Sequence, residues 1–408
     1  VTASTVARTR VVVIDHTAEL GGAEIALLRL LAALDRTRIE PRVVLFGDGP
    51  LVERLRDLDV EVDVLALTAD VSGVDRAGAG RASWSNLVRA GRTLPFLVRL
   101  VRHLRRLRPD VVVTTSLKAD LIGGVAARLA RLPLVWHVHD RIAPDYLPGS
   151  LVRLVRAASR LPCRVVVNSR ATASTLTVPT TLVYPGVGPD WVLDAETVAA
   201  RRAIGERPVV GLVGRISPTK GQLEYVRAAA LVAETHPGAV FRVVGGALFD
   251  AQAYAERVRA ESPPQVEWTG FVDDPREAVD DLDVLVHASP VPEPFGQVIV
   301  EAMVRGVPVV ATRAGGAVEI VAPSDGSALG VLVAPGDAEA LAEGVVSVLD
   351  DPEAAALRAR AAHAAAVRRF DAAETAARMS DVWESCGKRP ATGRSALFGR
   401  RLRQDGFS

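Results

Sequence analysis

Over nearly its whole length the chain alternates short valine-rich runs with longer stretches rich in Ala, Leu and Arg. A brief, uninterrupted apolar run is the mark of a strand buried on both faces, and a helical stretch after each one supplies the crossover that parallel strands require. Six such runs, at 10–15, 41–46, 62–67, 110–115, 134–139 and 164–169, form a first series. Six more follow at 208–214, 240–246, 266–271, 283–289, 307–312 and 330–335. Two series in 408 residues predict an α/β chain of two Rossmann-like domains, since so long a chain exceeds one ordinary core.

The stretch 183–208 separates the series, and Pro185, Gly186, Gly188 and Pro189 break any regular element there. The expected domains are therefore 1–187 and 188–370, with 371–387 a helix crossing back to the first. The segment 388–408, with Arg394, Arg400, Arg401 and Arg403, is expected to be a disordered basic tail.

A hydrophobic content of 49%, 24% charged residues and a net charge of +1 describe a globular chain and give no reason to expect a nucleic-acid partner. No apolar stretch approaches the ~20 residues that span a bilayer. The run Val11 to Ile14 is too short for the core of a signal peptide. Cys163 and Cys386 are the only cysteines, so remote from one another that neither a disulfide framework nor a metal site is expected. A reducing, cytoplasmic setting follows as the expectation. One helix-period run, 89–109, is basic and amphipathic. It would suit either a solvated face packed on the sheet or contact with anionic headgroups at a membrane surface.

In open parallel sheets ligands bind beyond the carboxyl ends of the strands, so the residues that follow each strand are the functional candidates. EPFGQVIVEA, 293–302, follows the strand DVLVHAS. Its Pro/Gly turn leads into a helix whose first N–H groups lack partners and can meet an anionic or polyhydroxylated ligand. Glu293 and Glu301 would touch separate parts of it. Alone, the pair also fits a turn residue and a solvated helix face.

GLVGRISPTKG, 211–221, places Arg215 and Lys220 at another strand-to-helix junction, in a chain with three lysines and 46 arginines. Together they can clamp a diphosphate, the Arg by bidentate bonding and the Lys as a point charge. GGAE, 21–24, opens a helix after the first strand, and Gly21 and Gly22 let a ligand approach the backbone. No GxGxxG follows any strand, so a dinucleotide site is not indicated.

WHVHD, 136–140, turns His137 and His139 to one face, with no third residue at a metal-ligand spacing, and no metal is expected. Ser116 and Lys118 after one strand, and Asn168 and Ser169 after another, are polar candidates for the acceptor side. Asp281 and Asp283 resemble a metal-binding DxD but precede a strand, away from the ligand edge.

EPFGQVIVEA, supported by the GR and KG of 214–221, resembles the signature of the retaining glycosyltransferases of family four, which share the GT-B fold of two Rossmann-like domains facing across a cleft. The resemblance runs over most of 8–385 and is strongest in 208–335. It implies transfer of a sugar from a nucleoside-diphosphate donor, UDP- or GDP-linked, to a glycan, lipid-linked or small-molecule acceptor, with no cofactor beyond the donor. Glu293 is then expected at the donor sugar, Glu301 at the ribose, and Arg215 and Lys220 at the diphosphate. Gly21 and Gly22 line the cleft, His139 meets a sugar hydroxyl, and His137 is structural. Phe295, Gly296, Gln297 and Val298 form the donor loop, with Val272 at the base. The chain departs from the family in carrying Pro185-Gly186-Val187-Gly188 where an Asn-Gly-Val-Asp turn is common. A sugar-nucleotide epimerase and a non-catalytic donor-binding subunit are the alternatives.

Overall fold

The structure is a computed structural model that describes residues 8–67, 84–201, 204–247 and 251–387, with side chains from Leu94 onward in the helix that begins at Trp84. The expected tail 388–408 lies outside the described residues. Seven parallel strands form the first sheet: β1 (Thr9–Asp15), β2 (Ile39–Leu45), β3 (Glu61–Val64), β4 (Val111–Thr114), β5 (Leu134–Val138), β6 (Arg164–Val167) and β7 (Thr181–Leu182). Their order is β3-β2-β1-β4-β5-β6-β7. The second sheet has six: β8 (Val209–Val213), β9 (Val240–Val244), β10 (Val266–Gly270), β11 (Val284–His287), β12 (Val309–Thr312) and β13 (Val331–Val333), in the order β10-β9-β8-β11-β12-β13. Every pairing is parallel, as the unbroken valine runs require.

Both orders reverse once, between β1 and β4 and between β8 and β11. At each reversal the crossovers on either side leave in opposite directions, opening a crevice at the carboxyl ends of the two central strands. Helices cover both faces of the first sheet. Gly22–Ala32 and Pro50–Asp57 pack with Ala376, Met379 and Trp383 on one side, while Leu100 and Leu104 from Trp84–Leu107, Ala126 from Leu117–Ala130 and Val152 from Gly149–Ala158 fill the other.

Two segments pass between the sheets side by side. Val187 donates to the Phe370 carbonyl at 2.8 Å and accepts from the Ala372 amide at 3.2 Å, so the linker and the returning chain pair as a short parallel bridge. Gly186 has no room for a side chain, because a Cβ there would lie 2.4 Å from the Ala372 Cα. Helix Ala372–Gly387 then packs Trp383 fully buried against the first sheet.

This return path overturns the expectation about the cysteines. Cys163, just before β6, and Cys386, in the last turn of the returning helix, form a disulfide across a sequence separation of 223, with Cα atoms 6.3 Å apart. Sequence distance says nothing about spatial distance once a terminal helix docks on the opposite domain. The cysteine count therefore gives no argument for a reducing compartment. Among the described residues no helix is long and apolar enough to cross a membrane.

Candidate functional site

The crevice of the second sheet is built from the ends of β8 and β11. After β8, Gly214 and Gly221 adopt positive φ and turn the chain through Arg215 to Lys220. A Cβ on Gly221 would sit 2.0 Å from the Ala288 carbonyl oxygen, so this loop lies directly against the end of β11. That contact brings Lys220 to Glu293, with Nζ 2.8 Å from Oε1. The Ser289 hydroxyl also bonds that carboxylate, and His287 Nε2 approaches its other oxygen at 3.4 Å. Burial pushes the Glu293 carboxyl up, but the adjacent Lys220 and His287 outweigh it and hold it well below the usual carboxylate range. Arg215, at the start of the same loop, is exposed, and its guanidinium has no hydrogen bond or ion pair with a described residue, while its carbonyl accepts from Gln222 Nε2 at 2.9 Å.

Gly296, at φ 110°, ends the turn and caps helix Gln297–Val304 without any side-chain cap, so the first N–H groups of that helix point into the crevice unpaired by a cap. The Phe295 ring is buried against Tyr184 and Phe370, at centroid distances of 5.9 and 5.6 Å, so its side chain serves packing. Val298 is half-buried in the first turn of the helix. Val272 is half-buried past the end of the edge strand β10, beside the exposed ring of Phe271.

The crevice of the first sheet holds a buried polar cluster. Asp15 accepts from the His16 amide at 2.6 Å, Thr115 Oγ1 at 2.8 Å and Ser116 Oγ at 2.9 Å. Burial raises the Asp15 carboxyl, but these donors and His16 bring it below its ordinary value. Glu24, in the first turn after the glycine pair, has no such set of donors. Burial, with the Asp15 charge, pushes it up to about 7. The His139 and His137 rings lie 4.1 Å apart between centroids, tilted by 54°. Burial pushes His139 down to about 4 and His137 well below its usual value, so both rings are neutral at pH 7. The His139 Nε2 is buried without a hydrogen-bond partner, a polar atom in want of one.

The two crevices face each other and touch. Gln297 Nε2 donates to the Gly22 carbonyl, Ser169 Oγ to the Pro294 carbonyl, and Arg29 Nη2 to Glu301 Oε1 at 2.7 Å. Arg29 also lies 4.9 Å from the Trp191 ring centroid. The glycine pair of one domain thus meets the EPFGQ loop of the other, with the Lys220–Glu293 pair behind it.

Residues 20–191 match the family described as Glycosyltransferase Family 4, and residues 194–367 the one described as Glycosyl transferases group 1. The 2-deoxystreptamine glucosyltransferase of Streptomyces kanamyceticus is 34% identical over 63% of this chain and 72% of its own length. The 2-deoxystreptamine N-acetyl-D-glucosaminyltransferase of Streptomyces fradiae is 31% identical over 82% and 84%. The chain belongs to the family 4 glycosyltransferases. Among solved structures, Anabaena HepE in complex with UDP-glucose superposes with a TM-score of 0.77 at 27% identity, covering 93% of this chain and 100% of that one.

In this glycosyltransferase several polar strand-end residues serve the protein itself. Ser169 is fully buried and caps helix Arg170–Ala173, accepting from the Thr172 amide at 2.8 Å. Asn168 is buried, accepts from Thr172 Oγ1 at 2.8 Å and reaches the His139 carbonyl at 3.4 Å. Ser116 is engaged with Asp15 and, at 2.7 Å, with His16 Nδ1. Lys118 is half-buried in the first turn of Leu117–Ala130. Asp281 pairs with Arg242 at 3.3 Å, and Asp283 accepts from the Val209 amide at 2.8 Å, both at the amino end of β11. Sequence reasoning missed Glu24, Arg29, His287 and Ser289. Only Glu24 carried a signal, as a carboxylate inside a strand-to-helix glycine turn.

Glu24 gives a stability test. Its folded-state pKa of about 7 lies above the ordinary 4.5, so it contributes stability fully present below pH 4.5 and lost as pH rises through 7. Glu24→Gln removes that loss. The variant is expected to melt with the wild type at pH 4.5 and to exceed it by up to about 3 kcal/mol at pH 8. Equal offsets at both pH values would mean that the carboxyl is not raised.

Proposed function

We propose that the enzyme transfers a hexose, with retention at the anomeric carbon, from a UDP-hexose to a hydroxyl of a polyhydroxylated acceptor held by the first domain. The observation that carries the donor assignment is the Lys220–Glu293 pair beside the unpartnered Arg215 and the uncapped helix at Gly296. As the bond between sugar and diphosphate breaks, negative charge grows on the phosphate. Arg215, Lys220 and the helix N–H groups lie where preorganised charge stabilises it. Glu293, held ionised, accepts from sugar hydroxyls, and the free Nε2 of neutral His139 takes another. Glu301 keeps one oxygen on Arg29 and offers the second to the ribose. The uridine reading rests on HepE, which binds UDP-glucose. No carboxylate is assigned as a nucleophile. The leaving phosphate takes the acceptor proton on the face where the acceptor attacks.

UDP at 100 times its dissociation constant is expected to raise stability by ~2.7 kcal/mol in a thermal shift, and NMR of the product from an α-linked donor should show an α-glycoside. A β-product would rule out retention. Glu301→Gln binds ground and transition states about equally less well, so it should raise the donor KM roughly tenfold with little change in kcat. Should that variant still discriminate UDP-hexose from its 2′-deoxyribose analogue as the wild type does, Glu301 does not read the ribose.

A further inference from the structure

The chain carries a net charge of only +1, yet residues 94–164 hold thirteen Lys and Arg against four Asp and Glu. The structure shows where that excess goes. Helices Trp84–Leu107, Leu117–Ala130 and Gly149–Ala158 pack in one layer on the same face of the first sheet. Within 94–164 ten arginines are exposed, against a single exposed carboxylate, Asp145, which Arg141 holds at 3.0 Å.

Large apolar side chains are exposed on the same layer. Of eleven such residues among the described ones, six belong here: Leu94, Val98, Val125, Leu129, Leu154 and Leu161, between 39% and 60% exposed. Leu94 and Val98, and likewise Val125 and Leu129, stand four residues apart on the outward face of their helices. The first two helices are tied together, Arg105 Nη2 donating to the Leu129 carbonyl at 2.8 Å.

Arginines in the last turn of a helix complement its dipole, which accounts for Arg105, Arg106 and Arg128. The dipole does not account for leucines beside them. A nucleic-acid surface would interleave the cations with aromatic rings for stacking, and the exposed apolar residues of this layer are Leu and Val alone. Alternating Arg and Leu on one outward layer is what an anionic bilayer surface matches. Headgroups take the guanidinium groups, and the leucines enter the boundary with the acyl chains.

We propose that the outer layer formed by these three helices is a docking surface for an anionic lipid bilayer. The sequence pointed only to 89–109; the fold adds the two following helices. The helix ends carrying Arg105, Arg128 and Leu129, and the connection carrying Leu161, precede strands, so they lie at the amino edge of the sheet, opposite the crevice at Asp15 and Ser116. The enzyme can therefore rest on the membrane with its cleft open, whatever donor it uses.

The test is sedimentation of the full chain with vesicles of phosphatidylcholine alone or with one third phosphatidylglycerol, at low and high salt. Binding is expected only to the anionic vesicles, weakened by salt. Arg102→Gln with Arg128→Gln should reduce the partition coefficient by about 25-fold, near fivefold per charge. Leu129→Ser with Leu154→Ser should reduce it by about tenfold, with the melting temperature unchanged. Absence of binding to anionic vesicles at low salt overturns the proposal. So does equal binding to both vesicle types. Binding to duplex DNA or RNA that withstands the leucine changes and competes with vesicles would make the surface a nucleic-acid site instead.

Discussion

Lys220→Ala is expected to lower kcat/KM by about a hundredfold, and to do so through two residues. The ammonium lies 2.8 Å from Glu293 Oε1, so the change removes a charge-assisted contact worth ~2–3 kcal/mol and strips a buried carboxylate of its main counter-charge. Burial is the largest influence on that carboxyl and acts upward, opposed by Lys220 first and His287 next. Without Lys220 the Glu293 pKa rises, so the variant should lose further activity as pH falls, over a range where the wild type does not.

Coupling follows from the same contact. Glu293→Gln in the Lys220→Ala background should cost far less than in the wild type, because the charge whose partner was removed is also gone. A coupling of about 2 kcal/mol is expected in the double-mutant cycle, measured on kcat/KM. Arg215→Ala is the control. It removes a cation that pairs with no described residue, so its effect should add to that of Glu293→Gln. Additive losses for Lys220 and Glu293 would mean that the pair separates in the working enzyme.

The fold was legible because each buried parallel strand must be apolar on both faces, and all twelve valine-rich runs coincide with strands. The thirteenth, β7, has two residues, Thr181 and Leu182, too short to carry any pattern. The second-domain loops were legible because a ligand constrains local sequence: EPFGQ and GRISPTKG each lie within one turn of a strand end. What eluded sequence depends on pairs far apart. Arg29 meets Glu301 across 272 residues, and an arginine in the last turn of a helix reads locally as a complement to the helix dipole, with nothing near it to mark a partner. Ser169 and Asn168 show the converse. A polar residue at a strand end can as readily cap the next helix, and here the cap takes the side chain.

The cysteine pair was the clearest failure of local reasoning, and it yields the largest expected change in stability. The bond between Cys163 and Cys386 closes a loop of 223 residues that contains the second sheet. In the chain-entropy account, a loop of that length restricts the unfolded chain by up to about 5 kcal/mol. The bond also pins helix Ala372–Gly387, with its buried Trp383, to the start of β6. Reduction and alkylation should lower the melting temperature by several degrees. Because the helix closes one face of the first sheet, Trp383 fluorescence should report the loss before the second domain melts. Cys163→Ser with Cys386→Ser should reproduce the reduced protein and be insensitive to dithiothreitol. The reading of the bond itself is simple, since the chain has no other cysteine. Denatured, unreduced protein should show no thiol reactive with a disulfide reagent, and two after reduction; two reactive thiols before reduction would mean that the helix docks without the bond, leaving packing alone to hold the returning chain.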